Sequence, residues 1–155
     1  MIVDVCRWTV ECDEVATARC YAALPKKPPC DCAPCRNFAA TNEVAFVPEF
    51  RALCRQLGID ITRPLEDFHS HRERSGLHCY GGWFLCVGRI LAGADARRTT
   101  GKTSWTFDLE WLTAGFEIGF ASAADRRIDA FAGHQVLQVE YTTRIPWVIE
   151  DDEPD

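Results

Sequence analysis

The spacing of hydrophobic residues changes near residue 65 of the chain. Before residue 58, apolar side chains recur at the three- and four-residue intervals of a helix, whereas after residue 65 they alternate with polar residues as in a half-buried strand. This pattern predicts an α+β fold, in which an N-terminal strand and helices pack on a mainly antiparallel sheet formed by residues 65–148.

The N-terminal part of the chain is predicted to form one strand and then one helix. Residues 2–10 alternate as a half-buried strand does, with one face that carries Ile2, Cys6, Trp8 and Val10. Asp13 is a suitable N-cap and Pro25 prevents a helix from continuing, so we expect a helix over residues 14–24. The face of this helix predicted to be buried carries Val15, Ala18 and Ala22.

A proline-rich loop separates this helix from two others. Residues 25–35, called the Cys loop, contain four of the eight prolines of the chain, which excludes regular structure and stiffens the segment. A short helix is predicted to begin near Pro34, and a longer one to span residues 48–57. The stripe of the longer helix predicted to face the core carries Phe50, Leu53, Cys54 and Leu57, and Gly58 supplies a left-handed end.

The second half of the chain is predicted to form the sheet. Residues 77–91 are apolar on both faces, which is typical of a central strand, and Gly81 and Gly82 indicate a bulge or a tight turn within it. Residues 105–121 predict a hairpin, and residues 137–143 predict a further strand with one buried face. The side chains of the hairpin predicted to face the core are Trp105, Phe107, Leu109, Trp111, Phe116, Ile118 and Phe120.

Length and composition are those of one globular domain. At 155 residues, with 47% hydrophobic and 26% charged residues, the chain is long enough to bury a core without disulfide bonds. We assign residues 1–149 to this domain. Residues 150–155, called the acidic tail, carry mostly carboxylates, so we expect them to be solvated and residues 151–155 to be removable with little loss of stability.

Charge and hydropathy disfavour two classes of partner. A net charge of −6 without a basic stripe is unlike that of proteins that bind the phosphate backbone of nucleic acids. The longest apolar stretch falls short of the about 20 residues that a membrane-spanning helix needs, and residues 1–15 lack the pattern of a signal peptide. We therefore expect no membrane insertion, and nine cysteines in a chain without an export signal favour the reducing cytoplasm.

Cysteine spacing in the Cys loop predicts a metal site. Cys30, Cys32 and Cys35 lie within six residues, and Cys-x2-Cys is a spacing that structural zinc sites use. Zinc takes four tetrahedral ligands, and Cys20, at the end of the first helix, is the predicted fourth because the loop can fold back on it. A histidine is the other choice for this fourth ligand. Zinc held by these cysteines is therefore the predicted cofactor.

The same cysteines allow two other interpretations. The thiols can be free and packed between the loop and the helix that follows it. They can also have a redox role, which requires Cys32 or Cys35 at the exposed N-terminus of a helix, where the helix dipole lowers the pKa of a thiol. Pro34 in the first helical turn makes this arrangement accessible to Cys35.

A second group of candidate ligands is His69-Ser70-His71, with His78 nearby. On a regular strand, residues two apart point to the same face, so His69 and His71 would lie side by side. His78 on a neighbouring strand would then complete a three-histidine metal set. The flanking residues 72–76 are typical of an exposed loop, however, and solvated histidines are the simpler interpretation.

Four segments of the chain resemble a group of small uncharacterised bacterial proteins. They are Cys30–Phe38 (Cys-x-Cys-x2-Cys-Arg-Asn-Phe), Leu57–Asp60 (LGID), Tyr80–Phe84 (YGGWF) and Thr143–Val148 (TRIPWV). The resemblance covers most of the chain and implies one bacterial domain, without supplying catalytic residues. Motifs rich in cysteine and aromatic residues suit a binding module better than an enzyme.

These observations favour a non-enzymatic binding or adaptor domain, such as an immunity-like protein, with a zinc-stapled Cys loop. A protein is the expected partner, and its recognition surface can include Trp105, Trp111 or Trp147. The competing hypothesis is a small metal-dependent or thiol enzyme that uses the Cys loop or the His69 and His71 pair. A structural zinc is saturated by protein ligands, whereas a catalytic zinc keeps an open position beside a pocket.

Overall fold

An antiparallel sheet of seven strands forms the framework of the protein. The computed structural model describes residues 1–122 and 128–155 of the chain. The strands of these residues are β1 (Ile2–Val5), β2 (Trp8–Cys12), β3 (Glu66–Arg72), β4 (His78–Ala92), β5 (Arg97–Thr99), β6 (Trp105–Phe107), β7 (Glu110–Thr113), β8 (Phe116–Ser122) and β9 (Val136–Ile145). All of them except β5 and β6 belong to this sheet. The helices are α1 (Glu14–Ala23), α2 (Ala33–Ala40), α3 (Asn42–Ala45) and α4 (Pro48–Leu57). The predicted α+β class with a mainly antiparallel sheet is confirmed.

The long strand β4 lies in the centre of this sheet. The strand order is β1-β2-β4-β9-β8-β7, with β3 also paired to β4, while β5 and β6 form a separate two-stranded sheet. One edge of β4 pairs with β9 from His78 to Val87. The other edge is shared, because β3 pairs with residues 78–83 and β2 with residues 88–92. The central position predicted for residues 77–91 is therefore confirmed.

Gly81 and Gly82 lie in the regular ladder of β4, so the predicted bulge or turn at these residues is wrong. They pair with Phe68 and Asp67 of β3. A Cβ atom on Gly82 would lie 2.4 Å from the carbonyl oxygen of Glu66 and 2.6 Å from the hydroxyl of Tyr141. Glycine is required here because neighbouring atoms approach the backbone closely.

The single strand predicted over residues 2–10 is a hairpin of two strands. The chain reverses between Val5 and Trp8, which are paired, and Cys6 in this turn has a φ of 51°. The reversal resets the alternation, so that β1 buries Val3 and leaves Ile2 exposed. Strand β2 buries Trp8 as predicted.

Helix α1 has nearly the predicted bounds, and Asp13 caps it by accepting a hydrogen bond from the backbone N–H of Ala16 (2.9 Å). The predicted buried face is wrong. The exposed residues include Val15, Ala18 and Ala22, whereas the buried residues are Thr17, Cys20 and Tyr21. The helix turns its hydroxyl-bearing side inward because Thr17 and Tyr21 hydrogen-bond to the backbone of β4.

Helix α4 forms as predicted and supplies the centre of an aromatic core. It spans Pro48–Leu57 and ends at Gly58, whose φ is 74°. Phe50 lies 4.8 Å from Phe116 of β8 and 5.8 Å from Tyr141 of β9, measured between ring centroids. The short helix α3, which was not predicted from the sequence, brings Phe46 and its neighbours into the same core.

The segment before β8 departs from the predicted hairpin. Residues 105–113 form two short strands, β6 and β7. The predicted hairpin is confirmed for β7 and β8, which pair antiparallel, whereas β6 pairs with β5 outside the main sheet. Trp105 and Trp111 are consequently 47% and 58% exposed, and their predicted burial is wrong. The predicted buried face of β8 is confirmed by Phe116, Ile118 and Phe120.

Candidate metal centre

The Cys loop leads directly into helix α2. Residues 25–31 have no regular secondary structure, and Cys32 is the N-cap of α2, with Pro34 in the first turn. The carbonyl oxygen of Cys32 accepts a hydrogen bond from the backbone N–H of Arg36 (3.0 Å). The helix therefore fixes the backbone that carries Cys32 and Cys35, and the short helix predicted near Pro34 is confirmed.

Three sulfur atoms meet at this N-terminus of α2. The Sγ atoms of Cys30, Cys32 and Cys35 all lie within 4.8 Å of one another, and those of Cys30 and Cys32 are 3.4 Å apart. Cys30 and Cys32 are exposed, and Cys35 is half-buried. Three thiols at these separations can hold one metal ion.

The thiols of Cys32 and Cys35 differ in acidity. A hydrogen bond to the backbone of Cys35, followed by those to the side chains of Cys35 and Cys30, lowers the pKa of the Cys32 thiol. Burial, followed by the neighbouring Cys32 and Cys30, raises the pKa of Cys35 to about 12. Cys32 therefore ionises more readily than Cys35, and a bound metal ion would have to displace the proton of Cys35.

Cys20 lies outside the group of three cysteines. It is buried on α1 and belongs to the hydrophobic core. Burial and the charge of Asp13 raise the pKa of its thiol. The structure thus brings together three of the four ligands predicted from the sequence and leaves the fourth apart.

A cavity of about 660 Å³ adjoins the cysteines. Cys30 and Cys35 line it, together with Arg36 of α2 and Asp67 of β3. Burial, and secondarily the charge of Glu66, raises the pKa of Asp67. Asp67 is not among the site residues predicted from the sequence, although the polar residues on both faces of β3 indicate that this strand does not simply cover the core.

Helix α2 is tied to the sheet and to the segment after β9 by buried polar groups. The hydroxyl of Tyr80 donates a hydrogen bond to the carbonyl oxygen of Pro34 (2.8 Å). Asn37 donates to the carbonyl oxygen of Pro146 (3.1 Å) and accepts from the backbone N–H of Val148 (2.8 Å). These contacts hold the N-terminal turn of α2, and with it the cysteines, in place.

The candidate histidines are divided by a β-bulge, so the predicted side-by-side arrangement of His69 and His71 is wrong. The register of β3 shifts between them, which pairs His69 with Tyr80 and His71 with Cys79. Adjacent residues of a strand point to opposite faces, and paired residues point to the same face. His69 and His71 therefore lie on opposite faces of the sheet.

His69 instead forms a hydrogen-bonded chain with His78 and the acidic tail. Nε2 of His69 lies 2.8 Å from Nδ1 of His78, and Nε2 of His78 lies 2.8 Å from a carboxylate oxygen of Glu153. The His78 side chain is fully buried. Because the carboxylate only accepts, Nε2 of a neutral His78 carries the proton and its Nδ1 accepts from His69.

The acidic tail is exposed over most of its length but contacts the domain at two carboxylates. Asp151 forms an ion pair with Arg36 of α2, and its carbonyl oxygen accepts a hydrogen bond from the indole N–H of Trp147 (2.9 Å). Glu153 lies 3.4 Å from the guanidinium of Arg72 in addition to its bond with His78. Contrary to the sequence-based expectation, these two carboxylates are therefore not simply solvated.

Comparison with protein-family models, with curated proteins and with solved structures finds no match to this chain. The resemblance to small bacterial proteins therefore stays a prediction, as does the protein partner. Within residues 1–122 and 128–155, none of the helices has the length and apolar character needed to cross a bilayer.

Proposed function

We propose that the protein is a metal-binding domain in which Cys30, Cys32 and Cys35 hold one Zn²⁺ ion. The observation that carries this proposal is the approach of the three sulfurs to within 4.8 Å of one another. Zinc–sulfur bonds of about 2.3 Å in a tetrahedral site place sulfurs about 3.8 Å apart. No pair of these sulfurs thus needs to close by more than about 1 Å, and Cys30 and Cys32, at 3.4 Å, need only to open slightly. Thiolate ligands select zinc or other soft metals over magnesium and calcium.

The rigidity of the surroundings supports this proposal. Prolines stiffen the Cys loop, and Tyr80 and Asn37 anchor the helix that carries Cys35 and has Cys32 as its N-cap. Little conformational entropy is lost when ligands that are already close converge on a metal ion. A bound ion would tie the exposed residues 25–31 to α2.

Within this proposal the protein acts as a binding domain rather than as an enzyme. The loop that the metal would hold is exposed along residues 25–32 and has no regular secondary structure of its own before Cys32. An exposed loop given a fixed shape by a metal ion is suited to recognition by a protein partner. We therefore assign the predicted partner to the Cys loop.

One observation favours the alternative, a metal-dependent or thiol enzyme. Three cysteines leave one zinc position for a further ligand, and Asp67 lines the cavity beside Cys30 and Cys35. A catalytic zinc keeps such an open position. Addition of imidazole to protein loaded with Co²⁺ separates the two functions: the visible spectrum changes if the position is open and stays constant if it is closed.

Metal content tests the proposal directly. After reconstitution with zinc under reducing conditions, we expect Cys32→Ser to bind one equivalent less than the unmodified protein. Cys6→Ser is the matched control, because Cys6 is also exposed but lies in the β1–β2 turn. It should bind as much zinc as the unmodified protein. Equal zinc content in all three proteins would refute the proposal.

A further inference from the structure

We propose that His71, Glu73 and Cys79 form a second metal site, separate from the Cys loop. One ligand atom from each of these residues lies within 4.8 Å of the others. The site takes a divalent ion of the zinc class and lies on the face of the sheet opposite Tyr80, whereas α2 contacts the Tyr80 face. It does not depend on the proposal for the Cys loop.

The bulge in β3 creates this arrangement. Because the register shifts before His71, its side chain shares a face with Cys79 of β4. The chain then turns after β3, where the backbone N–H of Glu73 donates to the carbonyl oxygen of Leu77 (2.8 Å) and Gly76 adopts a φ of 88°. Glu73 follows His71 by two residues, so the alternation of the strand places both on the same side of the β3–β4 pair.

Neighbouring groups orient two of the ligands. Nδ1 of His71 lies 3.0 Å from the hydroxyl of Ser70, which fixes the orientation of the ring. Nε of Arg144 donates to one carboxylate oxygen of Glu73 (3.0 Å). Outer contacts of this kind hold metal ligands in the orientation that binding requires.

The local charge suits a divalent cation despite the presence of Arg144. This guanidinium lies 3.0 Å from Glu73 and 3.6 Å from Glu117. Two carboxylates and the thiolate of a metal-bound Cys79 carry three negative charges, and Arg144 neutralises one of them. The two charges that are left match those of the ion.

The donor set indicates the kind of metal. Imidazole, carboxylate and thiolate together suit zinc and similar transition metals, whereas magnesium and calcium prefer oxygen ligands alone. His71 is exposed and Cys79 is buried, so an ion can enter from the His71 side. Three protein ligands leave a fourth position for water or a small molecule, as in catalytic zinc sites.

The experiment uses a protein from which the first site has been removed. The triple variant Cys30→Ser, Cys32→Ser, Cys35→Ser is titrated with Co²⁺, and we expect one equivalent to bind, with a sulfur-to-cobalt charge-transfer band from the single thiolate. Adding Cys79→Ser should abolish this band. Because Cys79 is buried and its replacement can disturb folding, His71→Ala provides the second test: it should weaken binding by at least about tenfold.

His134→Ala is the matched control, because His134 is an exposed histidine outside the proposed ligands. It should leave the affinity of the triple variant unchanged. Absence of cobalt binding by the folded triple variant would overturn the second site, as would binding that His71→Ala does not affect. The Cys loop proposal is tested separately. It fails if the unmodified protein and Cys32→Ser bind equal amounts of metal.

Discussion

The hydroxyl group of Tyr21 makes two hydrogen bonds to the backbone of Leu85. It donates to the carbonyl oxygen (2.9 Å) and accepts from the N–H (3.1 Å). Leu85 lies in the stretch of β4 between residues 78–83, which pair with β3, and residues 88–92, which pair with β2. Nearby, the hydroxyl of Thr17 accepts from the N–H of Val87 (2.9 Å). Two side chains of α1 thus satisfy the backbone groups of β4 where a neighbouring strand is missing.

Replacing Tyr21 by phenylalanine should therefore destabilise the fold. The change leaves two buried backbone groups of Leu85 without their partner, and each such loss typically costs about 1–3 kcal/mol. We expect a lower free energy of unfolding in urea, with an unchanged denaturant slope.

Tyr141→Phe is the contrasting variant. The Tyr141 hydroxyl is buried, and no hydrogen-bond partner for it is found among the described residues. Removing it should lower the free energy of unfolding by less than about 1 kcal/mol, or should raise it, because a buried unpaired hydroxyl is itself unfavourable. Equal destabilisation by the two substitutions would contradict the assignment of the Leu85 bonds as the cause.

Gly82→Ala should be among the most damaging single substitutions. The added Cβ would meet the carbonyl oxygen of Glu66 and the ring of Tyr141, and backbone on the neighbouring strand cannot move aside freely. We expect a loss of about 3 kcal/mol or more, measured by urea denaturation. At Gly76, where a Cβ meets nothing within 4 Å, alanine should cost only the strain of its positive φ, about 1–2 kcal/mol.

Asp67→Asn should stabilise the protein at neutral pH. Burial raises the pKa of Asp67, so the folded state holds a proton more tightly than the unfolded state. Stability is therefore lost as pH rises from the unfolded pKa through the folded pKa, and asparagine, which does not ionise, avoids this loss. Below pH 3.8, the ordinary pKa of an aspartate, the greater stability of Asp67→Asn should vanish. Urea denaturation at both pH values measures it, and a less stable variant at neutral pH would contradict the sign.

Removal of residues 151–155 should lower stability, which reverses the expectation from the sequence. Truncation leaves Nε2 of the buried His78 without the carboxylate of Glu153 and removes the ion pair of Arg36. A lost hydrogen bond at a buried group costs about 1–3 kcal/mol. A shorter truncation, which removes only Pro154 and Asp155, should leave the melting temperature unchanged. A truncated protein that melts like the full chain would show that the tail contacts are not stabilising.

The elements that follow local rules were predictable from the sequence. Helix α4 has a four-residue apolar stripe, a proline at its start and a glycine at its end, and it forms with the predicted bounds. The predicted face of α1 was wrong because its burial is decided by the backbone of a distant strand. A pattern of apolar residues does not show that Thr17 and Tyr21 have backbone partners to satisfy.

In the candidate metal centre, too, one part was predictable from the sequence and another part was not. The approach of Cys30, Cys32 and Cys35 follows from their spacing in the chain, and that part was predicted. The positions of Asp67 and Glu153 depend on which strands pair and on where the C-terminal segment docks. Neither can be derived from short-range sequence patterns.

The register shift between His69 and His71 separates two groups of interacting side chains on opposite faces of the sheet. It directs one imidazole toward the tail and His78, and the other toward Glu73 and Cys79. In a regular ladder without this bulge, Ser70 would pair with Cys79 and His71 with His78, which would place His71 on the same face as His69. One residue of chain length in β3 therefore determines whether these groups operate as two independent sets or compete for the same space.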